Sequence, residues 1–405
     1  MIGLDDLLAA RDRVKKVIRP TPVDRPESLS KLAGRPVLLK PEHQQRTGSF
    51  KIRGAYNRIA QLPLGVPVVT ASAGNHAQGV ALAASLTGRK ATIFMPRNAA
   101  LPKVTATRDY GANVRLEGEV VDDCIALAKS FAGETGAVYV PPFDDPDVIA
   151  GQGTVGLEVL EEAPEAEVVV VPVGGGGLIG GIGAAVALSP PPAGSSRPPR
   201  VVGVEAAGAP TLTEALAAGR PVTLDRLATM ADGISVACCS DLTLSLSERF
   251  VDEIVTVDEE EISQAMLLLV ERAKAVVEPS GAASLAAIMN GHVRGSGPAV
   301  AILSGGNVDP LLLTKLIEHG LASAGRYLTL RVVMADRVGA LAAFTTQLAA
   351  LGLNVLDVEH HRSGRALAVS EVEVQVTVET RDFAHHAEVV AALTASGYRV
   401  VEPVD

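Results

Sequence analysis

The sequence has few aromatic residues and no tryptophan: Phe, Trp and Tyr together make up 3% of its 405 residues. Proteins that stack on nucleic-acid bases depend on such rings, and the formal net charge of -10 would repel phosphate backbones. We therefore expect no nucleic-acid partner. An acidic chain can nevertheless bind a small anion, because backbone amides at helix N-termini create local positive potential.

Cysteine is also scarce. The three cysteines, Cys124, Cys238 and Cys239, form neither a disulfide framework nor a pair of CxxC units for a metal. Reduced thiols in a cytoplasmic protein are the expectation. Residues 1–16 mix Asp and Arg with apolar residues, unlike a signal peptide, and no uncharged apolar run reaches about 18 residues, so no membrane partner is expected.

Strand-like and helix-like patterns alternate over most of the chain. Short apolar segments between helical stretches predict strands at 36–40, 67–70, 91–96, 113–116, 137–140, 167–173, 200–205 and 299–304. Continuous apolar strands of this kind are typical of parallel sheets covered on both faces. The sequence therefore predicts an α/β architecture. The proline-rich residues 190–200 are expected to form a surface loop.

The pattern changes near residues 322–326, which we interpret as a domain boundary. Beyond it we expect strand, helix, strand, strand, helix and strand, at 327–334, 338–351, 353–361, 366–378, 383–396 and 398–404. Alternating apolar and polar residues in 369–376 indicate a strand with one buried face. This βαββαβ order predicts a ferredoxin-like sandwich, so residues 1–323 and 327–405 are expected to form separate domains.

Lys51 is the candidate catalytic residue. It follows a small, polar, glycine-containing turn and Phe50, and it precedes an expected helix start. A lysine amine can form a Schiff base with a carbonyl group when desolvation lowers its pKa. A single lysine is usually a solvated surface group, so the interpretation of Lys51 depends on other segments of the chain.

A cluster of glycines follows an expected buried strand and precedes a helix. Its four consecutive members are Gly174, Gly175, Gly176 and Gly177. They leave backbone N–H groups unobstructed beside a helix N-terminus, which is typical of a phosphate-binding loop, whereas a tight turn needs fewer glycines. The segment also fits the dinucleotide-binding pattern G-x-G-x-x-G, with Glu205 as the acidic ligand of the ribose. That alternative gives Lys51 no role.

Two further segments follow expected strands. One is a strand-to-helix turn of Ser72, Ala73, Gly74, Asn75 and His76, in which Ser72 can cap the helix and the amides can bind a substrate carboxylate. The other contains Ser304, whose hydroxyl can hydrogen-bond a ring nitrogen without protonating it. Each alone is equally well explained as a turn. Together with Lys51 and the glycines they match the chemical requirements of pyridoxal phosphate and an amino-acid substrate.

With these motifs the chain resembles the β-family, or fold type II (tryptophan synthase β-like), of pyridoxal-phosphate enzymes, and within it the threonine dehydratases (threonine ammonia-lyases). The resemblance covers roughly residues 5–320 and is carried by residues 49–55, 72–76, 174–177 and 304–307, in the family order. It implies two parallel-sheet α/β subdomains, with the smaller one, at roughly residues 50–145, inserted in the larger.

The resemblance also implies roles for individual residues. Lys51 would be the Schiff-base lysine and the base that removes the α-proton, and Phe50 would lie against the cofactor. Asn75 would hydrogen-bond the ring 3′-oxygen, Ser304 the ring nitrogen, and the four glycines the phosphate. The turn from Ser72 to His76 would bind the substrate carboxylate. Glu278 matches a segment near the cofactor of the family, or is only a charge at a helix start.

The implied activity is an α,β-elimination that converts L-threonine, and L-serine, to 2-oxobutanoate, or pyruvate, and ammonia. A serine racemase or serine dehydratase of the same family is one alternative, and a non-catalytic amino-acid sensor is another. Related serine racemases bind a divalent cation through a Glu and an Asp six residues later. Here Thr211 follows Glu205 at that spacing, so we predict no divalent metal site and keep a monovalent cation as an alternative.

The C-terminal domain resembles the ACT domain, a regulatory module that binds small effectors, often amino acids. Residues 336–341 occupy the position of the family's Asp-x-Pro-Gly-x-Leu motif, with Val338 in place of the proline, which weakens the prediction of a ligand there. The resemblance implies allosteric control by an amino-acid effector, for which isoleucine and valine are the candidates. Pairing of sheet edges between C-terminal domains would give a homodimer or homotetramer. Isoleucine biosynthesis and threonine catabolism both fit the sequence.

Overall fold

The computed structural model describes residues 2–191, 197–362 and 367–401. The chain forms two compact units, Met1–Leu312 and Leu313–Asp405, and the division between them falls inside a helix, Pro310–Ser323. Among the described helices, none combines the length and the apolar composition that a membrane crossing requires.

The first unit contains two sheets in which all neighbouring strands are parallel. The larger sheet, of order β1-β9-β6-β7-β8, consists of β1 (Val37–Lys40), β6 (Val168–Pro172), β7 (Arg200–Ala206), β8 (Glu253–Val257) and β9 (Ala299–Ile302). The smaller sheet, of order β4-β3-β2-β5, consists of β2 (Val68–Ala71), β3 (Ala91–Met95), β4 (Asn113–Leu116) and β5 (Val138–Tyr139). Every residue of β1, β2, β6 and β9 is buried, which confirms the predicted α/β architecture.

Helices pack on both sheets of this unit. They are α1 (Leu4–Val14), α2 (Glu27–Ala33), α3 (Lys51–Ile59), α4 (Asn75–Leu86), α5 (Leu101–Asp109), α6 (Val121–Thr135), α7 (Pro146–Glu162), α8 (Gly177–Leu188), α9 (Thr211–Ala218), α10 (Asp241–Phe250), α11 (Glu259–Leu268) and α12 (Pro279–Met289), followed by α13 (Pro310–Ser323) at the unit boundary. Of the proline-rich loop predicted at 190–200, residues 192–196 lie outside the described residues, and β7 begins at Arg200.

The long helix α7 crosses α3 and α8 with backbone against backbone. A Cβ atom on Gly151 would lie 2.5 Å from the carbonyl oxygen of Arg53 in α3, and one on Gly153 would lie 2.6 Å from that of Gly181 in α8. Glycine is therefore required at both crossings, because any side chain would separate the helices. Since α3 begins at Lys51 and α8 at Gly177, α7 fixes the positions of both helix starts.

The second unit contains an antiparallel sheet of order β11-β12-β10-β13, formed by β10 (Tyr327–Ala335), β11 (Val355–His361), β12 (Glu371–Glu379) and β13 (Arg399–Val401). Its helices α14 (Ala340–Ala350) and α15 (Phe383–Ala395) complete the βαββαβ order and confirm the ferredoxin-like prediction. Val372, Val374 and Val376 of β12 are buried in the core, as the alternation predicts. The predicted strand start at residue 366 and the end at 404 lie outside the described residues, and 369–370 form a turn rather than strand.

Candidate active site

The predicted segments lie where parallel strands end. Ser304 follows β9, the four glycines follow β6, and the turn from Ser72 follows β2. The carboxyl ends of strands in α/β sheets are the usual place for a binding site, because the following loops and helix N-termini converge there. Lys51 is the first residue of α3, with Phe50 at the N-cap position.

The Lys51 amine lies in a low-dielectric environment. Its Nζ donates a hydrogen bond to the carbonyl oxygen of Pro142 at 3.1 Å and lies 5.1 Å from the centre of the Phe50 ring. Burial lowers the pKa of Lys51 to about 8, although the nearby Glu278 carboxylate partly opposes this shift. A larger fraction of this amine is therefore neutral, and nucleophilic, at neutral pH than for an ordinary lysine.

The turn before Lys51 is attached to the segment that follows β9. Thr47 and Gly48 both have a positive φ, of 64° and 69°, and a Cβ atom on Gly48 would lie 2.5 Å from Asn307 Oδ1. Asn307 Nδ2 donates to the carbonyl oxygen of Thr47 at 2.7 Å, and the Phe50 amide donates to that of Ser304 at 3.2 Å. These contacts bring Ser304 next to the start of α3.

Asn75 and Glu278 extend this network. Asn307 Nδ2 also donates to Asn75 Oδ1 at 2.7 Å, and Asn75 Nδ2 donates to Glu278 Oε1 at 2.6 Å. Glu278 is 4% exposed, and burial, together with the charge of Asp232, raises its pKa to about 7. It stands at the N-cap position of α12, but its side chain makes no capping bond. The structure therefore places Glu278 with Asn75, not as a charge that caps its own helix.

The turn from Ser72 to His76 differs in one detail from the prediction. Gly74, not Ser72, is the N-cap residue of α4, and the Ser72 hydroxyl accepts a hydrogen bond from the Gly74 amide at 3.2 Å. Ser72 therefore closes the turn and does not cap the helix. The first amides of α4 have no acceptor within the helix itself, as at every helix N-terminus.

His76 is buried behind this turn. Its Nε2 lies 2.9 Å from the carbonyl oxygen of Val140, and burial, with the positive charge of Lys51 nearby, lowers its pKa to about 3. The ring is therefore neutral, with its proton on Nε2. Nδ1 is buried and has no hydrogen-bond partner among the described residues. A neutral ring cannot balance the charge of a carboxylate, so the amides of the turn are the anion-binding groups here.

The glycine loop presents only its backbone. Gly176 has a φ of 85° and forms the N-cap of α8. A Cβ atom on Gly175 would lie 2.3 Å from the Phe143 ring, and one on Gly177 would lie 2.8 Å from Gln152 Oε1. Side chains are thus excluded, and the amides at the start of α8 are left for an anion.

Pro142 and Gln152 connect this loop to Lys51. The Pro142 carbonyl that accepts from Lys51 also accepts from Gln152 Nε2 at 3.1 Å, and Gln152 Oε1 is buried without a partner among the described residues. The structure therefore brings the lysine, the Asn75 turn, Ser304 and the glycine loop together. Neither Pro142 nor Gln152 was predicted from the sequence. The sequence did contain one indication that this helix is closely packed, namely Gly151 and Gly153 on either side of Gln152. Glycine inside a helix is costly unless it allows close packing.

A buried charge network that the sequence analysis also missed lies behind Lys51. Arg53 is fully buried and forms paired hydrogen bonds to Glu42, both at 2.8 Å, and to Glu158, at 2.6 and 2.8 Å. Lys40 Nζ approaches Glu158 at 2.8 Å and Glu162 at 3.0 Å. Burial alone would lower the pKa of Arg53, but the two carboxylates beside it raise the pKa above its usual value. The network anchors α3 two residues beyond the reactive amine.

Glu205 does not serve as a dinucleotide ligand. Its carboxylate accepts hydrogen bonds from the amides of Leu212 and Thr213, at 2.6 and 3.0 Å, and from the Thr213 hydroxyl at 2.6 Å. It thus caps α9 and is buried, which contradicts the dinucleotide alternative. In the ranges that the structure describes, no group of three or more His, Cys, Asp or Glu side chains is placed to hold a metal ion.

The residues present fit pyridoxal phosphate. A partly buried amine with a lowered pKa can take the aldehyde, and a side-chain-free helix start can take the phosphate. The Asn307 and Phe50 contacts hold Asn75 and Ser304 against the turn that precedes this amine. Two buried polar atoms, His76 Nδ1 and Gln152 Oε1, have no hydrogen-bond partner among the described residues. Both atoms are acceptors, so a donor group of a bound ligand or a water molecule would satisfy them.

Comparison with known proteins defines the class. Residues 14–305 match the pyridoxal-phosphate dependent enzymes, and residues 328–395 match the ACT domain. The chain therefore belongs to the pyridoxal-phosphate dependent enzymes, as the four sequence segments predicted, and carries a C-terminal ACT domain, as the pattern of residues 327–405 predicted.

Three individual proteins show which members of this class the chain is similar to. The chain is 45% identical to the L-threonine ammonia-lyase of Thermotoga maritima, over 99% of each protein. It is similar to the crystal structure of a T.th. threonine deaminase, with 41% identity, a TM-score of 0.71 and coverage of 76% of this chain and 99% of that one. Maize serine racemase is also similar, with 37% identity, a TM-score of 0.72 and coverage of 80% and 98%.

Proposed function

We propose that this chain is a pyridoxal-phosphate-dependent L-threonine ammonia-lyase, which converts L-threonine to 2-oxobutanoate and ammonia. The observation that carries the proposal is the Lys51 amine, held in the site with a lowered pKa of about 8 between the Asn75 network and the glycine loop. The full-length similarity to the Thermotoga maritima L-threonine ammonia-lyase supports threonine as the substrate.

In this proposal the predicted residues keep the roles that the resemblance implies. Lys51 would hold the cofactor and would accept the α-proton of the substrate, with Phe50 against the ring. The amides of Gly174, Gly175, Gly176 and Gly177 hold the phosphate, Asn75 the ring 3′-oxygen and Ser304 the ring nitrogen. The turn of Ser72, Ala73, Gly74, Asn75 and His76 binds the substrate carboxylate. When bound, pyridoxal phosphate withdraws electrons from the α-carbon.

Ser304 affects whether elimination or transamination follows removal of the α-proton. A hydroxyl donates a hydrogen bond to the ring nitrogen without giving up its proton, because its acidity is far lower than that of a carboxylic acid. A ring nitrogen held by Ser304 in this way would stay unprotonated, and the weaker electron withdrawal would favour loss of the β-hydroxyl. Ser304 is therefore the residue that favours elimination over transamination in this proposal.

Serine racemisation is the second candidate, because maize serine racemase has a similar structure. Assays with L-threonine and L-serine should produce the corresponding α-keto acids and ammonia. Formation of D-serine without keto acid would favour the racemase instead. An absence of turnover with both substrates, in protein that has bound the cofactor, would favour an amino-acid sensor.

We further propose that residues 1–323 perform catalysis and residues 327–405 regulate it, in a cytoplasmic homodimer or homotetramer. The ACT domain supports an amino-acid effector, and we propose isoleucine or valine. The three cysteines are free, as is usual in a reducing compartment. Titrating each amino acid against threonine turnover tests the effector, and the molar mass in solution tests the assembly.

The pKa of Lys51 predicts the pH dependence of cofactor uptake. In the folded apoprotein the pKa is depressed from 10.5 to about 8, so protonation removes the nucleophile as the pH falls below 8. Covalent uptake should therefore slow by about tenfold per pH unit below pH 8 and level off above it. The growth of the visible absorbance of bound cofactor measures the rate. A rate that still rises steeply at pH 10 would contradict the lowered pKa.

Gly175→Ala tests the phosphate cradle. The new methyl group would overlap the Phe143 ring, so the loop must move away from its present position. We expect cofactor affinity to fall by at least about tenfold, the effect of losing one or two charge-assisted hydrogen bonds. Equilibrium dialysis of pyridoxal phosphate measures it. Gly133→Ala in α6 is the matched control, because nothing lies within 4 Å of the added carbon there.

A further inference from the structure

A second polar cleft, of about 250 Å³, lies at the opposite end of the larger sheet. It is lined by Arg35, Glu167, Val168, Arg197, Arg200, Arg294 and Gly295. Val168 and Arg200 are the first residues of β6 and β7, and Arg35 precedes β1. The cleft is therefore at the amino ends of strands whose carboxyl ends lead to the proposed cofactor site, and it is separate from that site.

Arg35 forms the buried wall of this cleft. It is 8% exposed, and its guanidinium donates to the carbonyl oxygen of Gly297 through Nε and Nη2, at 3.0 and 2.7 Å, and to that of Val293 through Nη1 at 2.9 Å. In the part of the chain that the structure describes, no carboxylate lies within ion-pair distance of it. Burial, with repulsion from Arg200, lowers the pKa of Arg35. The charge of the nearby Glu167 carboxylate partly opposes this shift, so the charge of Arg35 is held in place and only partly balanced.

Arg200 and Arg294 form the outer wall. Arg200 Nη2 donates to the carbonyl oxygen of Arg294 at 2.5 Å, which orients its guanidinium. Both arginines share one carboxylate at long distance: Glu253 lies 3.6 Å from Arg200 and 3.5 Å from Arg294. Glu167 is the acidic residue that lines the cleft together with these arginines. This is a strong local excess of positive charge on a chain of net charge -10.

We propose that this cleft binds a phosphate group, either of inorganic phosphate or of a small phosphate ester. A guanidinium presents paired N–H donors that match phosphate oxygens, and a buried, pre-oriented arginine loses little entropy on binding. The cleft has room for a phosphate with a short substituent. Binding balances the excess charge of Arg35, Arg200 and Arg294, since a phosphate dianion carries the opposite charge.

Calorimetric titration of the holoenzyme tests this proposal. Because the cofactor phosphate then occupies the glycine loop, added phosphate reports on the second cleft. Inorganic phosphate and glycerol 3-phosphate are titrated separately, in chloride buffer of constant ionic strength. We expect one site per chain, about tenfold weaker in Arg200→Gln and about a further tenfold weaker in the double variant with Arg294→Gln. Glu167→Gln should strengthen binding by removing a like charge.

Arg226→Gln is the matched control, since this exposed arginine lies outside the cleft and its loss should leave the affinity unchanged. Tighter binding of glycerol 3-phosphate would identify a phosphate ester as the ligand class, and binding of inorganic phosphate alone would identify the free ion. No binding of either probe at about 10 mM, or equal affinity in the double variant, would overturn the proposal. The visible absorbance of bound cofactor should stay unchanged in all variants, which separates this result from the proposed catalytic function.

Discussion

Lys51→Ala is expected to abolish covalent cofactor binding and to lower threonine turnover by about 10⁴-fold. The substitution removes the amine that attaches the cofactor and also the base that accepts the α-proton. Two other lysines with little exposed surface are already paired and cannot replace it: Lys40 is held by Glu158 and Glu162, and Lys103 pairs with Asp232. The visible absorbance of purified protein and the rate of keto-acid formation measure the two losses.

Two control variants accompany this experiment. Lys51→Arg keeps a positive charge but cannot form the covalent bond, so it should lose the absorbance as completely as Lys51→Ala. Lys16→Ala removes an exposed lysine far along the chain from the site residues and should change neither property. An unchanged absorbance band in Lys51→Ala would refute the assignment of this lysine.

Arg53→Met is expected to lower the free energy of unfolding by about 3–5 kcal/mol. The thioether fills part of the space, but Glu42 is left fully buried without its paired hydrogen bonds, and Glu158 loses the same partner. An unpaired buried charge is costly because neither water nor a counter-ion replaces the lost contacts. Urea-induced unfolding of the purified protein measures the change.

Arg58→Met on the same helix is the matched control. Its ion pairs with Asp145 and Asp147, at 2.9 and 3.6 Å, involve partly exposed side chains, so the expected loss is below about 1 kcal/mol. A similar cost for both variants would show that the Arg53 network contributes no more than an ordinary ion pair. Because Arg53 lies two residues from Lys51, cofactor binding by Arg53→Met should also be measured.

The sequence was sufficient for the architecture because the buried strands are continuous runs such as Val168–Pro172, and the segments around Lys51 and Gly174 occur in the order of a known family. It failed to predict β8 (Glu253–Val257), an edge strand that is only partly buried and therefore lacks a continuous apolar run. The prediction that Ser72 caps α4 was wrong, because the N-cap residue is Gly74, two positions later.

Other parts of the site could not be predicted from local patterns. The Pro142 carbonyl carries no side-chain signal, and its contact with Lys51 spans ninety-one positions of chain. Arg53 lay within a recognised motif, but its partners Glu42 and Glu158 come from different elements that only the folded chain brings together. Long-range pairing of charges is invisible to periodicity, since it depends on tertiary packing.

The glycine crossings of α7 have a mechanical consequence. The helices α3 and α8 both contact α7 directly through backbone atoms at the two glycines. Because no flexible side chain separates them there, the N-terminal ends of α3 and α8 cannot move independently. The distance between the Lys51 amine and the glycine loop is then fixed before any ligand binds. A protein built in this way should select its prosthetic group by length, rejecting aldehydes whose charged end is one bond too near or too far.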